Sequence, residues 1–200
     1  EINQGSDAFY KNSVGEYMLP IENKIVFTDG NYDLPYVRDV KIRRKFPSRI
    51  NIAITECQVY TCAKLKNTYI CIDEQGKILE VMDKQPDFFC CTLLGVQVKA
   101  PKPGQPASFK NEKQDEAYRE LASVLYSSDF KDVVTSIDLT NIDDIKFMVG
   151  DSLEVYIGDI DNLDYKINFL VSGAYLNIGP NRKGTLDVSF GTNATFKEVY

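Results

Sequence analysis

Carboxylates and cysteines are the side chains of this sequence whose types and spacing could do chemistry. Two groups of aspartates are candidates for acid–base work or for binding a hard metal ion: Asp143 with Asp144, and Asp159, Asp161 and Asp164. Aspartate at a hairpin turn or a helix start also accepts hydrogen bonds from unpaired backbone N–H groups. The Asp-x-Asp stretch lacks the glycine and the distal glutamate of an EF-hand loop. We therefore predict structural roles for both groups.

The sequence contains no histidine, which removes the commonest general base and the commonest metal ligand. It has five cysteines: Cys57, Cys62, Cys71, Cys90 and Cys91. An odd number argues against a complete disulfide framework, although Cys62 and Cys71 flank a predicted hairpin across which they could meet. No Cys-x-x-Cys pair occurs. We predict no metal, no cofactor, no small-molecule substrate and no enzymatic activity, so function should lie in surfaces.

Composition indicates a globular chain of 200 residues, 44% hydrophobic and 26% charged. Its 23 cations and 29 carboxylates give a net charge of −6, which disfavours nucleic acid. The longest mostly apolar run, 88–98, is about half the ~20 residues that a membrane-spanning helix needs. The first residue is Glu1 rather than methionine, so we expect a single-pass anchor, if the parent protein has one, upstream of this fragment.

The sequence predicts an α+β fold, an antiparallel sheet with two amphipathic helices. This fold would position the carboxylates and cysteines named above. Alternating apolar residues and turn residues predict strands at 36–44, 49–56, 69–72, 78–81, three within 136–158, and 184–191. Helical spacing of apolar residues predicts helices at 112–127 and 163–174. A weak capping box, Ser13 with Glu16, predicts a third short helix over 13–19 that Pro20 ends. The proline-rich stretch 99–108 is a predicted loop.

Six cations lie within the twelve residues from Arg38 to Arg49: Arg38, Lys41, Arg43, Arg44, Lys45 and Arg49. We interpret this stretch as two ordinary strands joined at Pro47 and Ser48. The cations would then lie on a solvated face and discourage edge-to-edge pairing. The alternative role for the first five is a basic patch that faces an anionic membrane surface, and nucleic acid is the least favoured role.

The same stretch, "LPYVRDVKIRRKFPSRINIAITE", carries a resemblance. It resembles the segment that closes the POTRA domain in the FtsQ/DivIB family of bacterial cell-division proteins. Weaker likenesses follow in the family's order: "YICIDEQGKILEV", "FFCCTLLGV" with Gly95, "IDLTNIDDIKFMVGDSLEVYIGDIDNLDYKINFL" with Gly158 and Lys166, and "GTLDVSF". The resemblance implies a POTRA-like domain at 1–55 and the family's β domain at 56–200.

Two departures from the family pattern concern the first domain and its end. Only the four residues from Gly30 to Asp33 separate "KIVFTD" from Leu34, where the family has a longer helix, so the POTRA-like domain would be abbreviated. Glu56 is followed by Cys57 and Gln58 rather than by an arginine and proline region.

The resemblance also implies a function. It implies a non-enzymatic divisome scaffold at the extracytoplasmic face of the cell membrane, at the division septum, that binds FtsB/DivIC-like and FtsL-like partners. The partner would add a strand to an exposed sheet edge. The rival functions are a POTRA-containing module of a secretion or envelope-assembly system, and a wall hydrolase or transferase.

The resemblance implies that the partner-binding surface lies on the C-terminal segment of this sequence. We expect Leu186, Val188 and Phe190 to share one face of a strand. Phe196 and Tyr200 come later in the chain, after a loop. The predicted partner-binding residues are Phe190, Thr192 and Phe196, with Val188 and Tyr200. The alternative is that these aromatic residues belong to the hydrophobic core.

Overall fold

A computed structural model of the chain describes residues 10–11, 17–19, 34–45, 48–179 and 182–199. The chain divides into two compact units, Glu1–Cys57 and Gln58–Tyr200. In the described part of the chain, no helix is both long enough and apolar enough to span a membrane.

The first unit contains a four-stranded antiparallel sheet. Its strands are β1 (Tyr10–Lys11), β2 (Tyr17–Leu19), β3 (Val37–Lys45) and β4 (Arg49–Glu56), in the order β1-β2-β4-β3. The predicted strand pair of the basic stretch is thus confirmed. Ile42 lies opposite Ile52 and Val40 opposite Ile54, so the apolar residues of both strands share one face.

The predicted helix over 13–19 is wrong for residues 17–19, the part of this range that the structure describes. Tyr17–Leu19 form β2, whose Met18 lies opposite Asn51 of β4. Pairing with a neighbouring strand has overridden a weak local capping signal. Ser13, Glu16 and Pro20 lie outside the described residues, and the assignment of this unit to a POTRA domain stays a prediction.

The second unit is built on a nine-stranded sheet that is mostly antiparallel. Its strands are β5 (Thr61–Leu65), β6 (Thr68–Ile72), β7 (Ile78–Met82), β8 (Cys91–Leu94), β9 (Val134–Asp138), β10 (Ile145–Val149), β11 (Leu153–Gly158), β12 (Gly184–Asp187) and β13 (Thr195–Glu198). They are ordered β13-β12-β11-β10-β9-β8-β5-β6-β7. The pairs β5–β8, β8–β9 and β11–β12 are parallel.

The two predicted helices of this unit are confirmed, and with them the α+β class. The first is α1 (Glu112–Tyr126), capped by the Asn111 side chain, which accepts from the N–H of Lys113. The second begins as α2 (Leu163–Phe169), widens into a π-helical turn (Leu170–Ala174) and ends as α3 (Tyr175–Ile178). The stretch 99–108 contains neither helix nor strand, as predicted.

Tyr118 of α1 links the helix to the core of the second unit. Its side chain is 1% exposed and packs edge-on against Phe109. The hydroxyl donates to the carbonyl of Asp73 at 2.8 Å and lies 2.6 Å from Thr61 Oγ1 on β5. Burial raises the pKa of Tyr118 well above its ordinary value, so the phenol stays neutral. A buried hydroxyl with two partners fixes α1 against the sheet without an unpaired polar group.

Candidate partner-binding surface

The C-terminal strand β13 lies at the end of the sheet. It pairs with β12 in antiparallel register, with Leu186 opposite Phe196, and the described residues place no strand on its other side. The N–H of Val199 donates inward to the carbonyl of Lys183 at 3.1 Å. Because backbone groups alternate in direction along an antiparallel ladder, those of Phe196 and Glu198 point outward. We call these outward groups the C-terminal edge.

Phe190 does not lie on a strand, and the prediction that it shares a strand face with Leu186 and Val188 is wrong. The strand ends at Asp187, whose Oδ1 accepts from the N–H of Ser189 at 2.9 Å. The N–H of Gly191 donates to the carbonyl of Val188, and Gly191 has φ +70°. This turn reverses the chain and leaves Phe190 81% exposed.

The other predicted partner-binding residues have different environments. Val188 is fully buried, so its side chain packs in the core and cannot contact a partner. Thr192 is exposed beside the turn. Phe196 is half-buried and packs against the core. Tyr200 lies outside the described residues. The structure therefore brings Phe190, Thr192 and Phe196 to one end of the sheet, with Phe190 the most exposed of the three.

A groove lies between the second helix and the C-terminal hairpin. Its volume is about 350 Å³. It is lined on the helix side by Phe169, Gly173, Ala174, Asn177 and Ile178, and on the sheet side by Leu186, Thr192, Asn193, Ala194 and Phe196. A Cβ built on Gly173 meets nothing within 4 Å, so this glycine keeps the groove open. Two of the predicted residues, Thr192 and Phe196, thus belong to its wall.

Sequence reasoning missed the helix wall of this groove. Its signal was the run of small residues Ser172, Gly173 and Ala174 inside an otherwise apolar helical pattern. The π-helical turn covers the same residues, and such turns often occur at functional sites. Two exposed side chains with large apolar surfaces lie near these residues. Leu176, two residues after Ala174, is 68% exposed. Tyr165 is 57% exposed and packs beside Gly191.

Charged residues hold this end of the unit in place. Arg182 donates to Glu198 Oε1 at 2.6 Å, an ion pair between the two ends of the β12–β13 hairpin. Lys166 of α2 donates to the Oδ1 of Asp159 at 2.7 Å and to its carbonyl at 2.9 Å. This hydrogen bond lowers the pKa of Asp159.

Four of the five aspartates that could have formed a catalytic or metal site make local contacts. Asp159 Oδ1 also accepts from the N–H of Asp161 at 3.1 Å. In the other group, the N–H of Asp143 donates to Asn141 Oδ1 at 3.1 Å. The N–H of Asp144 donates to the carbonyl of Asn141. Within the described ranges, no group of three or more histidine, cysteine or acidic residues could hold a metal ion.

Comparison with known proteins finds relatives of this sequence that share one name. No family model matches the chain. Four curated relatives carry the name "Cell division protein DivIB", and three of them illustrate the likeness. The one from Clostridium botulinum (strain Hall) is 26% identical over 163 residues, which are 81% of this chain and 63% of the relative. Those from Clostridium tetani and Clostridium acetobutylicum are 28% and 27% identical over 96% and 98% of this chain, and over 69% and 73% of their own lengths.

The resemblance to the FtsQ/DivIB family is confirmed. The four DivIB relatives match this chain over 81% to 98% of its length, so the likeness is not confined to one motif. All four of these relatives are named as cell-division proteins. The chain spans 63% of the length of the C. botulinum relative.

The basic stretch of this DivIB-like chain is divided between two faces. Strand alternation puts Lys41, Arg43 and Lys45 on one face of β3, and Arg49 joins them because it lies opposite Lys45. We call these four exposed residues the cation face. Arg44 lies on the other face, opposite Ile50, and Arg38 is half-buried. Lys41 of the cation face forms an ion pair with Asp39 at 3.5 Å. The ion pairs of the described residues include none of the other three members of the cation face.

Proposed function

We propose that this chain is a non-enzymatic divisome scaffold that binds FtsB/DivIC-like and FtsL-like partners. We place it at the extracytoplasmic face of the cell membrane, at the septum, anchored by a segment outside this sequence. The observation that carries the proposal is the C-terminal edge of β13, which lies beside an open groove and an exposed phenylalanine. The DivIB relatives support the cell-division part of it.

The mechanism that fits this surface is strand addition. A partner strand would pair with the outward N–H and C=O groups of Phe196 and Glu198, and this main-chain pairing would supply affinity. Specificity would come from a side chain of the partner that enters the groove, and from contact with Phe190. Interface energy concentrates in a few aromatic anchors, each worth about 2 kcal/mol or more on truncation.

The first test is Phe190→Ala, because this side chain is 81% exposed and contributes little to folding. The dissociation constant for the purified DivIC/FtsB ectodomain should rise at least about tenfold, with an unchanged melting temperature. Val133→Ala, at a 40% exposed position in the turn before β9, is the matched control and should bind as the wild type does. Equal binding by wild type and Phe190→Ala would exclude Phe190 from the interface.

A second variant tests the groove itself. Gly173→Leu places a side chain into open space, and the loss of a helical glycine should raise the stability by about 0.5–1 kcal/mol. Partner binding should nevertheless fall, because the groove is filled. Phe196→Ala cannot separate binding from folding so cleanly, since Phe196 packs against the core. If Gly173→Leu binds the partner normally, the groove has no part in the interface.

The rival function is tested in the same assay. A POTRA-containing secretion or envelope-assembly module would not bind division ectodomains at all. Capture of the DivIC/FtsB or FtsL ectodomain by the wild-type chain, but not by Phe190→Ala, is the outcome that supports the divisome scaffold.

A second candidate function is contact with an anionic membrane by the cation face. The observation that favours it is the strand register, which aligns Lys41, Arg43, Lys45 and Arg49 on one face. A cation near an anionic bilayer contributes about 1 kcal/mol. Arg43→Glu with Lys45→Glu should abolish co-sedimentation with phosphatidylglycerol vesicles. Arg44→Glu, on the other face, should reduce it less, and equal effects of the two changes would contradict a face-specific contact.

A further inference from the structure

Three of the five cysteines lie together on one face of the nine-stranded sheet. Thr61 points toward α1, because its hydroxyl contacts Tyr118, so the next residue, Cys62, points to the opposite face. Cys62 forms a disulfide with Cys90. The Sγ of Cys71, directly opposite Cys62 on β6, lies 3.6 Å from the Cys62 Sγ. The predicted meeting of Cys62 and Cys71 is confirmed, but the bonded partner of Cys62 is Cys90.

The disulfide ties a crossing segment to the sheet. The chain leaves β7 and must pass β6 and β5 to enter β8, because that is the strand order. Residues 83–90 make this crossing without helix or strand and are mostly exposed. Phe88 and Phe89 in it are 42% and 61% exposed. Among the contacts described, the Cys62–Cys90 bond is the covalent link between this segment and β5.

We propose that Cys62 exchanges its disulfide partner between Cys90 and Cys71, and so ties or releases the segment 83–90. Cys71 loses its proton to solvent, and its thiolate attacks Cys62 Sγ. The Cys71–Cys62 bond forms as the Cys62–Cys90 bond breaks. The electron pair leaves on Cys90 Sγ, which takes up a proton. One disulfide and one thiol are present before and after the step, so no oxidant or reductant is needed.

The distances allow both disulfides, since the Cα atoms of Cys62 and Cys90 are 6.0 Å apart and Cys71 lies directly opposite Cys62. Opposed residues of an antiparallel pair have Cα atoms about 4.5 or 5.5 Å apart, within the range that a disulfide spans. The other two cysteines have no such role. Cys91 lies opposite Thr61, on the core side of the sheet, and Cys57 belongs to the first unit. Exchange would leave Cys90 as a half-buried thiol next to Phe88 and Phe89, on a segment that is no longer bonded to β5.

The exchange should be slow at neutral pH. Burial raises the pKa of Cys71 to about 11, and the charge of Glu80, opposite it on β7, acts in the same direction. The fraction of Cys71 present as the reactive thiolate is then about one in ten thousand at pH 7. This fraction grows about tenfold for each unit by which the pH rises. The rate should follow this increase and should not depend on protein concentration, because the three sulfur atoms belong to one chain.

The test is disulfide mapping of the unreduced protein. It is incubated at pH 8 and pH 9 with iodoacetamide, digested and analysed by mass spectrometry. The expected product carries a Cys62–Cys71 disulfide and an alkylated Cys90, and it forms about tenfold faster at pH 9. Alkylation of Cys71 with an intact Cys62–Cys90 bond as the sole product would overturn the proposal.

Three variants test the assignment of each sulfur. Cys71→Ser should abolish alkylation of Cys90, whereas unchanged alkylation would show that another thiol attacks. Cys90→Ser, equilibrated with oxidised glutathione, should form the Cys62–Cys71 disulfide, and failure to form it would contradict the geometry. Cys57→Ser, in the first unit, is the matched control and should leave the products of the wild type unchanged.

Discussion

Lys166 and Asp159 form an ion pair in which one partner is buried and the other is not. The Nζ of Lys166 is 2.7 Å from Asp159 Oδ1, and the two side chains are 7% and 53% exposed. A buried ammonium group without an acceptor is costly, whereas an exposed carboxylate can be hydrated by water. Loss of Asp159 therefore costs more stability than loss of the Lys166 charge, because it leaves the ammonium group of Lys166 buried without its carboxylate partner.

This asymmetry predicts different costs for the two substitutions. Asp159→Asn should lower the free energy of unfolding by about 1–3 kcal/mol, because the ammonium loses a charged acceptor. Lys166→Met removes the charge and keeps the apolar stem, and should cost less than about 1 kcal/mol. Urea unfolding measures both, with Asp161→Asn as the matched control at an exposed neighbour, expected within about 0.5 kcal/mol of the wild type. A larger loss in Lys166→Met than in Asp159→Asn would contradict the asymmetry.

The same pair predicts a pH dependence. The hydrogen bond from Lys166 lowers the pKa of Asp159 below its usual value of 3.8. A carboxylate whose pKa is depressed by folding contributes stability above its unfolded pKa and loses it as the pH falls through the folded pKa. The stability difference between wild type and Asp159→Asn should stay constant from pH 7 to about 5 and shrink below about 4. Urea midpoints across this range measure it, and a difference that grows on acidification would contradict the prediction.

Repeated apolar spacing in the second unit correctly predicted which faces are buried. The helical spacing of Tyr118, Leu121 and Leu125 identified the buried face of α1, and all three are at most 1% exposed. The alternation of Leu186 and Val188 likewise identified the buried face of the last predicted strand. Such patterns are local, because each residue's face depends on its position within one helix or strand.

What could not be predicted depends on contacts between distant residues. Phe190 continues the alternation of Leu186 and Val188, but the turn at Ser189 ends the strand before it. The groove joins Gly173 to Phe196 across two elements, and no spacing within either one reveals it. Cys62 has two cysteines within reach, and its bond to Cys90 rather than Cys71 depends on the path of the segment that crosses the sheet.

Gly95 provides a stability prediction at a position that the resemblance identified. It has φ +77°, and a Cβ there would overlap the backbone nitrogen of Thr140. Its carbonyl also accepts from the buried amide of Gln114 at 3.0 Å. Gly95→Ala should lower the free energy of unfolding by about 2–5 kcal/mol, the sum of a strained φ and overpacking. Chemical unfolding measures this loss.

Gly150→Ala separates the two contributions to that loss. Gly150 has φ +60°, but a Cβ there meets nothing within 4 Å, so its substitution adds backbone strain alone, about 1–2 kcal/mol. The excess cost of Gly95→Ala over Gly150→Ala then measures the overlap with Thr140. Equal costs would mean that the chain around Thr140 moves aside freely.

Strand addition at the C-terminal edge predicts a backbone-specific effect at Glu198. Its N–H points away from β12, so Glu198→Pro removes a donor that the sheet does not use. Glu198→Ala keeps the N–H but loses the same ion pair with Arg182, which makes it the matched control. If a partner strand pairs with this edge, Glu198→Pro should bind the DivIC/FtsB ectodomain at least about tenfold more weakly than Glu198→Ala, at similar melting temperatures. Equal affinities would mean that the partner is held by side chains alone.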